Sequence, residues 1–306
     1  HPIAIGRPIG RCFLPGVDKM SGLALYVLGP PRIERDGAPV QIRRRNVVAL
    51  LAYLAVTGRS HSRDTLATLF WPEHDRSGAR AGLRRSLASL KNALGGEWLE
   101  VSRESVGLCP GADLWLDQVR FQKHLAECQT HGHGSEQICP ACLSSLEDAV
   151  TLYEGDFLSG FTLRDSPGFD EWQFFQTESL RQELASALER LARGHRAQGT
   201  HELAIPYARR WLALDPLHEP AHRQLMWLYA VSGQRAAALR QYGECERILL
   251  EELGVPPEEE TAGLFAAIKE KRDLPRPGDP SLPPTQSDIL NKRYRLESEI
   301  GRGGTG

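Results

Sequence analysis

Residues Arg76 to Leu94 read RSGARAGLRRSLASLKNAL, and on a helix of 3.6 residues per turn their chemistry sorts by face. Leu83, Leu87, Leu90 and Leu94 fall within about 60° of one another, with Ala79 beside them, which makes one apolar stripe for a core. The opposite face carries Gly78, Ala81, Gly82, Arg85, Ala88, Ser89 and Asn92, while Arg80, Arg84 and Lys91 lie along a flank. A helix that enters a major groove needs close backbone approach, a few hydrogen-bonding side chains for base edges, and cations at its margins for phosphates. This stretch has all three. The same wheel suits a basic helix that merely faces solvent above a core, so the flanking elements decide.

Upstream, Leu23, Leu25 and Val27 alternate in a strand-like run that stops at Gly29-Pro30-Pro31. A short strand around Arg32 to Arg35, the Asp36-Gly37 turn, and Val40 to Ile42 complete a small antiparallel sheet. Arg43, Arg44 and Arg45 lead into VVALLAYLAV, a helix apolar enough to be buried, which ends near Gly58. Ser62 is placed to cap a second helix, with Asp64 in its first turn and Trp71-Pro72 as its stop. The Arg76 to Leu94 helix is then third. After Gly95-Gly96, Trp98 to Ser102 and Val106 to Cys109 flank a turn at Arg103-Glu104-Ser105 and read as a hairpin.

Strands, three helices and a terminal hairpin describe a winged helix-turn-helix, in which the third helix reads the major groove and the hairpin touches the backbone or minor groove. Residues 20–116 form this domain. Arg85, Ser89 and Asn92 are its base-reading candidates; Arg80, Arg84, Lys91, Arg43, Arg44 and Arg45 are its phosphate candidates; Arg103 belongs to the wing.

Charge agrees with that division. Met20 to Leu116 holds 13 Lys and Arg against 9 Asp and Glu, a net +4, whereas Asp117 to Gly306 holds 21 against 29, a net −8. A basic first domain joined to an acidic remainder suits a polyanion partner for the first part alone. With 41% hydrophobic and 25% charged residues, the 306-residue chain has a soluble composition and room for two domains. It has no apolar run of about 18 residues and no signal-peptide pattern, which leads us to expect a cytoplasmic protein without a membrane partner. Residues 1–19 are rich in Gly and Pro without periodicity and read as a disordered leader.

From Asp117 the pattern is helical, interrupted at residues 128–142 by CQTHGHGSEQICPAC. Cys128, His131, His133, Cys139 and Cys142 put five zinc-type donors within fifteen residues, and thiols kept reduced in a cytosol favour a tetrahedral zinc site over a disulfide. The expected ligands are Cys128, His133, Cys139 and Cys142, with His131 as the alternative histidine. The competing reading is solvent-facing histidines with two incidental cysteines. Cys12, Cys109 and Cys245 have no partner at ligand spacing.

A long amphipathic helix follows, with Trp172, Phe174 and Phe175 near its start, an aromatic cluster expected in the core. Beyond it a repeat emerges. Leu191 and Leu225, Gly199 and Gly233, Ala204 and Ala238, and Ile205 and Leu239 are each 34 residues apart, the period of tetratricopeptide helix pairs. The expected fold is therefore mainly α: an α/β winged helix-turn-helix domain, then an all-α TPR-like helical-repeat domain over 117–273. A Pro-rich linker spans 274–288. In 289–306, Gly301, Gly303 and Gly306 satisfy G-x-G-x-x-G after a strand-like RYRLESEI, a turn whose amides could cover a phosphate.

Three resemblances attach to these segments. The runs LALYVLGPPRIERDGAPVQI, RNVVALLAYLAV, LATLFWPE and LRRSLASLKNALG, in order, resemble the OmpR-type DNA-binding domain of the SARP family, the Streptomyces antibiotic regulatory proteins. LYEGDFLSGF, DEWQ, ALDPLHEPAHRQLMWLYAVSGQRAAALRQY and LLEELGVPPEEET look like the bacterial transcriptional activator domain that follows it in that family. Together they imply a promoter-binding transcriptional regulator, acting on double-stranded DNA as side-by-side copies, with polymerase contact or self-association through the helical domain. The final segment resembles the opening strand and Gly-rich loop of a bacterial Ser/Thr protein kinase. The lysine and aspartates of phosphoryl transfer are absent, so these residues are expected to catalyse nothing, and ATP enters only with a full-length kinase. The rival to DNA binding is a protein-interaction or ligand-sensing regulatory arm of such a kinase.

Overall fold

The computed structural model describes residues 22–109, 111–128, 138–272 and 274. The leader, His131 and His133, most of the linker, and Gly301, Gly303 and Gly306 lie outside the described residues.

The chain opens with β1 (Leu23–Tyr26), β2 (Arg32–Arg35) and β3 (Ala38–Pro39), followed by α1 (Arg45–Thr57), β4 (His61–Ser62), α2 (Arg63–Phe70) and α3 (Arg76–Leu94). The hairpin β5 (Leu99–Val101) and β6 (Ser105–Leu108) precedes β7 (Leu114–Leu116). Local chemistry places these ends. Gly58 closes α1 with φ +60°, its N–H donating to the Leu54 carbonyl. Ser62 Oγ accepts from the Thr65 N–H at 3.0 Å to start α2, and Asp75 Oδ1 accepts from the Gly78 N–H at 3.0 Å to start α3.

Two corrections concern the sheets. The third strand is Ala38–Pro39 and not Val40 to Ile42, and the first sheet is mixed, in the order β3-β2-β1-β7, with β7 parallel to β1. The wing hairpin also takes in β4, so the second sheet runs β4-β6-β5. In both cases the added pairing joins strands far apart in sequence, which alternation within one segment does not reveal.

The core under α3 is the stripe expected: Leu83, Leu90 and Leu94 are fully buried and Leu87 nearly so, against Leu50, Leu51 and Leu54 of α1 and Leu66 and Phe70 of α2. Each such leucine contributes about 1.5–3 kcal/mol by burial alone.

Beyond β7 come α4 (Asp117–Glu127), α5 (Pro140–Leu152) and α6 (Pro167–Ala197). The sequence suggests a division at 116/117, yet the contacts divide the chain into compact units at 194/195. Three features tie residues 117–194 to the winged helix. The Asp117 carboxylate accepts the Val27 and Leu28 N–H groups at 2.8 and 2.9 Å. Ser166 Oγ donates to the Leu69 carbonyl at 2.6 Å. Phe157, Phe169 and Trp172 stack among Tyr53 and Phe70, with the Tyr53 and Trp172 rings 4.9 Å apart. Trp172 thus takes part in the core as expected. Phe174 and Phe175 do not: each is 60% exposed, because two and three residues on from Trp172 the helix has turned them away.

The second unit holds α7 (His201–Leu214), α8 (Glu219–Val231), α9 (Arg235–Leu253) and α10 (Glu259–Glu270). The 34-residue period is visible in it. Gly199 and Gly233 stand before α7 and α9 with φ of +74° and +76°, and Ala204 and Ala238 are both fully buried one turn inside those helices. Glu219 of α8 accepts the Glu258 N–H at 2.9 Å and the Thr261 hydroxyl at 2.6 Å, while buried Arg223 pairs with Glu258 and Glu260. These bonds satisfy the start of α10 against α8. No described helix is long and apolar enough to cross a membrane.

Candidate nucleic-acid interface

The buried arc of α3 runs through Ala79, Gly82, Leu83, Ser86, Leu87, Leu90 and Leu94, which leaves Arg80, Arg84, Arg85, Ala88, Lys91 and Asn92 exposed. Arg84, Arg85, Lys91 and Asn92 make no side-chain hydrogen bond or ion pair among the described residues. Ser89 is half-buried at the edge of the same surface. The Asp75 cap and the α2 packing present this helix outward from a rigid base.

Two of the sequence's phosphate candidates are engaged inside the protein. Arg80 makes a two-pronged contact with Asp64 of α2, at 2.6 and 2.8 Å, and Arg76 adds a third bond at 2.8 Å. The two guanidiniums hold the Asp64 carboxyl down at about 2, so one carboxylate offsets part of the charge at the start of a flank where the wheel shows only cations. Arg45 donates from Nε to the Thr162 carbonyl at 2.6 Å and lies over the Phe161 ring at 4.6 Å. Arg43 and Arg44 are exposed beside it and are unpaired among the described residues.

Gly82 has a different role from that read on the wheel. A Cβ there would stand 2.7 Å from the Trp71 ring, so this glycine seats the indole against α3 and does not open the helix to a groove. The signal for it lay in Trp71-Pro72 just before the helix, which reads only as a stop.

The wing is held at its base. Ser102 Oγ accepts the Glu104 and Ser105 N–H groups at 3.1 and 2.8 Å, and Arg63 at the start of α2 donates to the Ser102 carbonyl at 3.1 Å. Arg103 projects exposed from the tip of this turn.

At the α4–α5 junction, Cys128 and Cys142 are buried against one another's backbone, their Sγ atoms 3.6 and 4.0 Å from the opposite carbonyls, while Cys139 Sγ accepts the Cys142 N–H at 3.4 Å. Burial pushes the Cys142 thiol up to about 11. Among the described residues no group of three or more His, Cys, Asp or Glu side chains is arranged to hold a metal ion.

An outward third helix with arginines unpaired among the described residues, and a tethered wing, define the first unit as a winged helix-turn-helix, which a helical-repeat unit follows in the chain. Residues 116–269 match the model of the bacterial transcriptional activator domain. The chain belongs to that family, and its relatives are regulators of SARP type. It is 32% identical over 250 residues to the regulatory protein AfsR of Streptomyces coelicolor, covering 79% of this chain and 24% of that protein. It is 26% identical over 290 residues to the transcriptional regulatory protein MoaR1 of Mycobacterium tuberculosis, covering 92% and 86%. Among solved structures, Mycobacterium tuberculosis EmbR in complex with a low-affinity phosphopeptide superposes with a TM-score of 0.64 at 24% identity, over 83% of this chain and 66% of that one, a likeness of fold. The chain spans about a quarter of the length of the AfsR relatives.

Proposed function

We propose that this chain binds double-stranded promoter DNA, with α3 in the major groove and Arg103 of the wing on the adjacent backbone. The observation that carries the reading is the outward face of α3, where Arg84, Arg85, Lys91 and Asn92 are exposed and unpaired among the described residues. Arg85 and Asn92, with Ser89, read bases; Arg84, Lys91, Arg43 and Arg44 meet phosphates. Arg80 and Arg45 act at most indirectly, by positioning α2 and the 161–162 segment. Fluorescence anisotropy of the full chain on pooled promoter fragments across a salt series tests this. A steep fall of affinity with salt and enrichment of one fragment are the expected results. Absence of binding at low salt would end it.

Within that experiment, Lys91→Ala weakens all sequences alike and flattens the salt slope by about one, because it removes a phosphate contact and no base contact. A change in sequence preference in this variant would contradict the assignment.

Polymerase contact or self-association is the second reading, favoured by Phe174 and Phe175 standing 60% exposed on α6. A fused kinase activity is a further reading, supported by the resemblance of residues 289–306 to the opening strand and Gly-rich loop of a Ser/Thr protein kinase. For the 128–142 loop the proposal is a structural zinc on Cys128, Cys139 and Cys142 with His133, or His131, as fourth ligand. The closeness of Cys128 and Cys142 supports it, and a histidine is required to complete the set. Metal analysis of the purified chain is expected to find one zinc, lost in the Cys139→Ser, Cys142→Ser double variant; a metal-free chain of unchanged stability would refute the site.

A further inference from the structure

A cleft of about 760 Å³ opens in the first unit between the start of α1, the α2–α3 connection and the 162–165 loop. Phe70 and the Trp71 indole line it, and Arg44, Arg85 and Arg164 surround it. Its volume is that of a nucleotide-sized ligand. The three guanidiniums make no ion pair or hydrogen bond among the described residues, and the two carboxylates on the same walls, Glu73 and Asp165, pair with none of them.

Two further observations point into the space. Ser86 is 5% exposed, lines the cleft, and its hydroxyl has no hydrogen-bond partner among the described residues. The hydroxyl oxygen is not among the buried unpaired atoms, so it meets the solvent of the cleft and is available to a ligand there. In addition, α1 begins at this cleft with no side-chain cap from Arg44, so the first-turn N–H groups of a 13-residue helix add positive potential there. The walls are preformed, because Ser166 pins the loop to Leu69 and Arg45 pins Thr162, each through a 2.6 Å bond.

We propose that this cleft binds a small phosphate-bearing ligand, its anionic group held by Arg44, Arg85, Arg164 and the Ser86 hydroxyl, with a flat ring against Trp71. Arg85 and Arg44 also belong to the surface proposed to meet DNA, so ligand and duplex compete for both. That coupling rests on the DNA reading; the binding site itself does not.

The test titrates the full chain with adenosine 5′-monophosphate and with inorganic pyrophosphate at low salt, by calorimetry, in the wild type, Arg164→Ala and Ser86→Ala. Saturable 1:1 binding is expected, weakened about tenfold or more by Arg164→Ala, the loss of one charge-assisted contact, and about two- to tenfold by Ser86→Ala. The monophosphate should displace labelled DNA from the wild type, whereas Arg164→Ala should bind DNA normally and resist that displacement. Binding of the monophosphate that depends on Arg164 in a chain that ignores DNA would sustain the cleft and end the DNA reading. No saturable binding of either probe, or binding indifferent to both substitutions, overturns the proposal. Arg164→Ala weakening DNA and monophosphate equally would overturn it too, since the cleft would then seat a phosphate of the duplex.

Discussion

Asp117→Ala is expected to lower the unfolding free energy by about 2–4 kcal/mol, the cost of leaving several buried N–H groups without an acceptor. Asp117 is 2% exposed, and its carboxylate accepts from the Val27, Leu28 and Gln118 N–H groups at 2.8 to 3.0 Å. It therefore caps the end of β1 and opens α4 with one group, ninety residues apart in sequence. Asp117→Asn keeps one acceptor oxygen and should fall between the two. Denaturant unfolding followed by circular dichroism measures both; two variants as stable as the wild type would show that the clamp contributes nothing. Burial pushes this carboxyl up to about 6 from 3.8, against the opposing pull of the three backbone donors. The folded chain then holds a proton that the unfolded chain releases between those values. The proton-linked part of its contribution is full below about pH 4, is lost as pH rises to about 6, and is flat above, while the hydrogen bonds of the clamp remain. The stability difference between wild type and Asp117→Asn should shrink across that window and nowhere else.

Arg85→Ala should weaken specific DNA by about 1–3 kcal/mol, roughly 5- to 150-fold, and blur the choice between the preferred fragment and a scrambled one. The reason is geometric. Arg85 is exposed on the outward face of α3 and unpaired among the described residues, so its planar donor fork is available to a guanine edge. Arg85→Lys keeps the charge without the fork, and should retain part of the affinity while losing the preference. Anisotropy on matched and scrambled duplexes separates these outcomes. Intact affinity and preference in Arg85→Ala would mean that α3 does not lie in the groove as proposed.

Much of this chain was legible in its sequence because the relevant signals are local. The leucine stripe of α3, the Ser62 cap, the Gly58 stop, the wing and the 34-residue spacing of Gly199 with Gly233 all follow from helical or strand periodicity and from turn chemistry, which short segments encode by themselves. Those features determined the winged helix, the repeat helices later in the chain and the helix that faces outward.

Which cations the winged helix offers was settled only by tertiary structure. Asp64 lies 12 residues before Arg76 and 16 before Arg80, and Thr162 lies 117 after Arg45, so no helical wheel shows that these arginines are already engaged. The same holds for Gly82 beneath Trp71, for the parallel pairing of β7 with β1, for the division of the chain at 194/195, and for Phe174 and Phe175 facing out while Trp172 faces in. Periodicity states which face of a segment is apolar. What that face meets, and which charge lies opposite, depends on contacts closed over long stretches of chain, and those exist only once the units have folded.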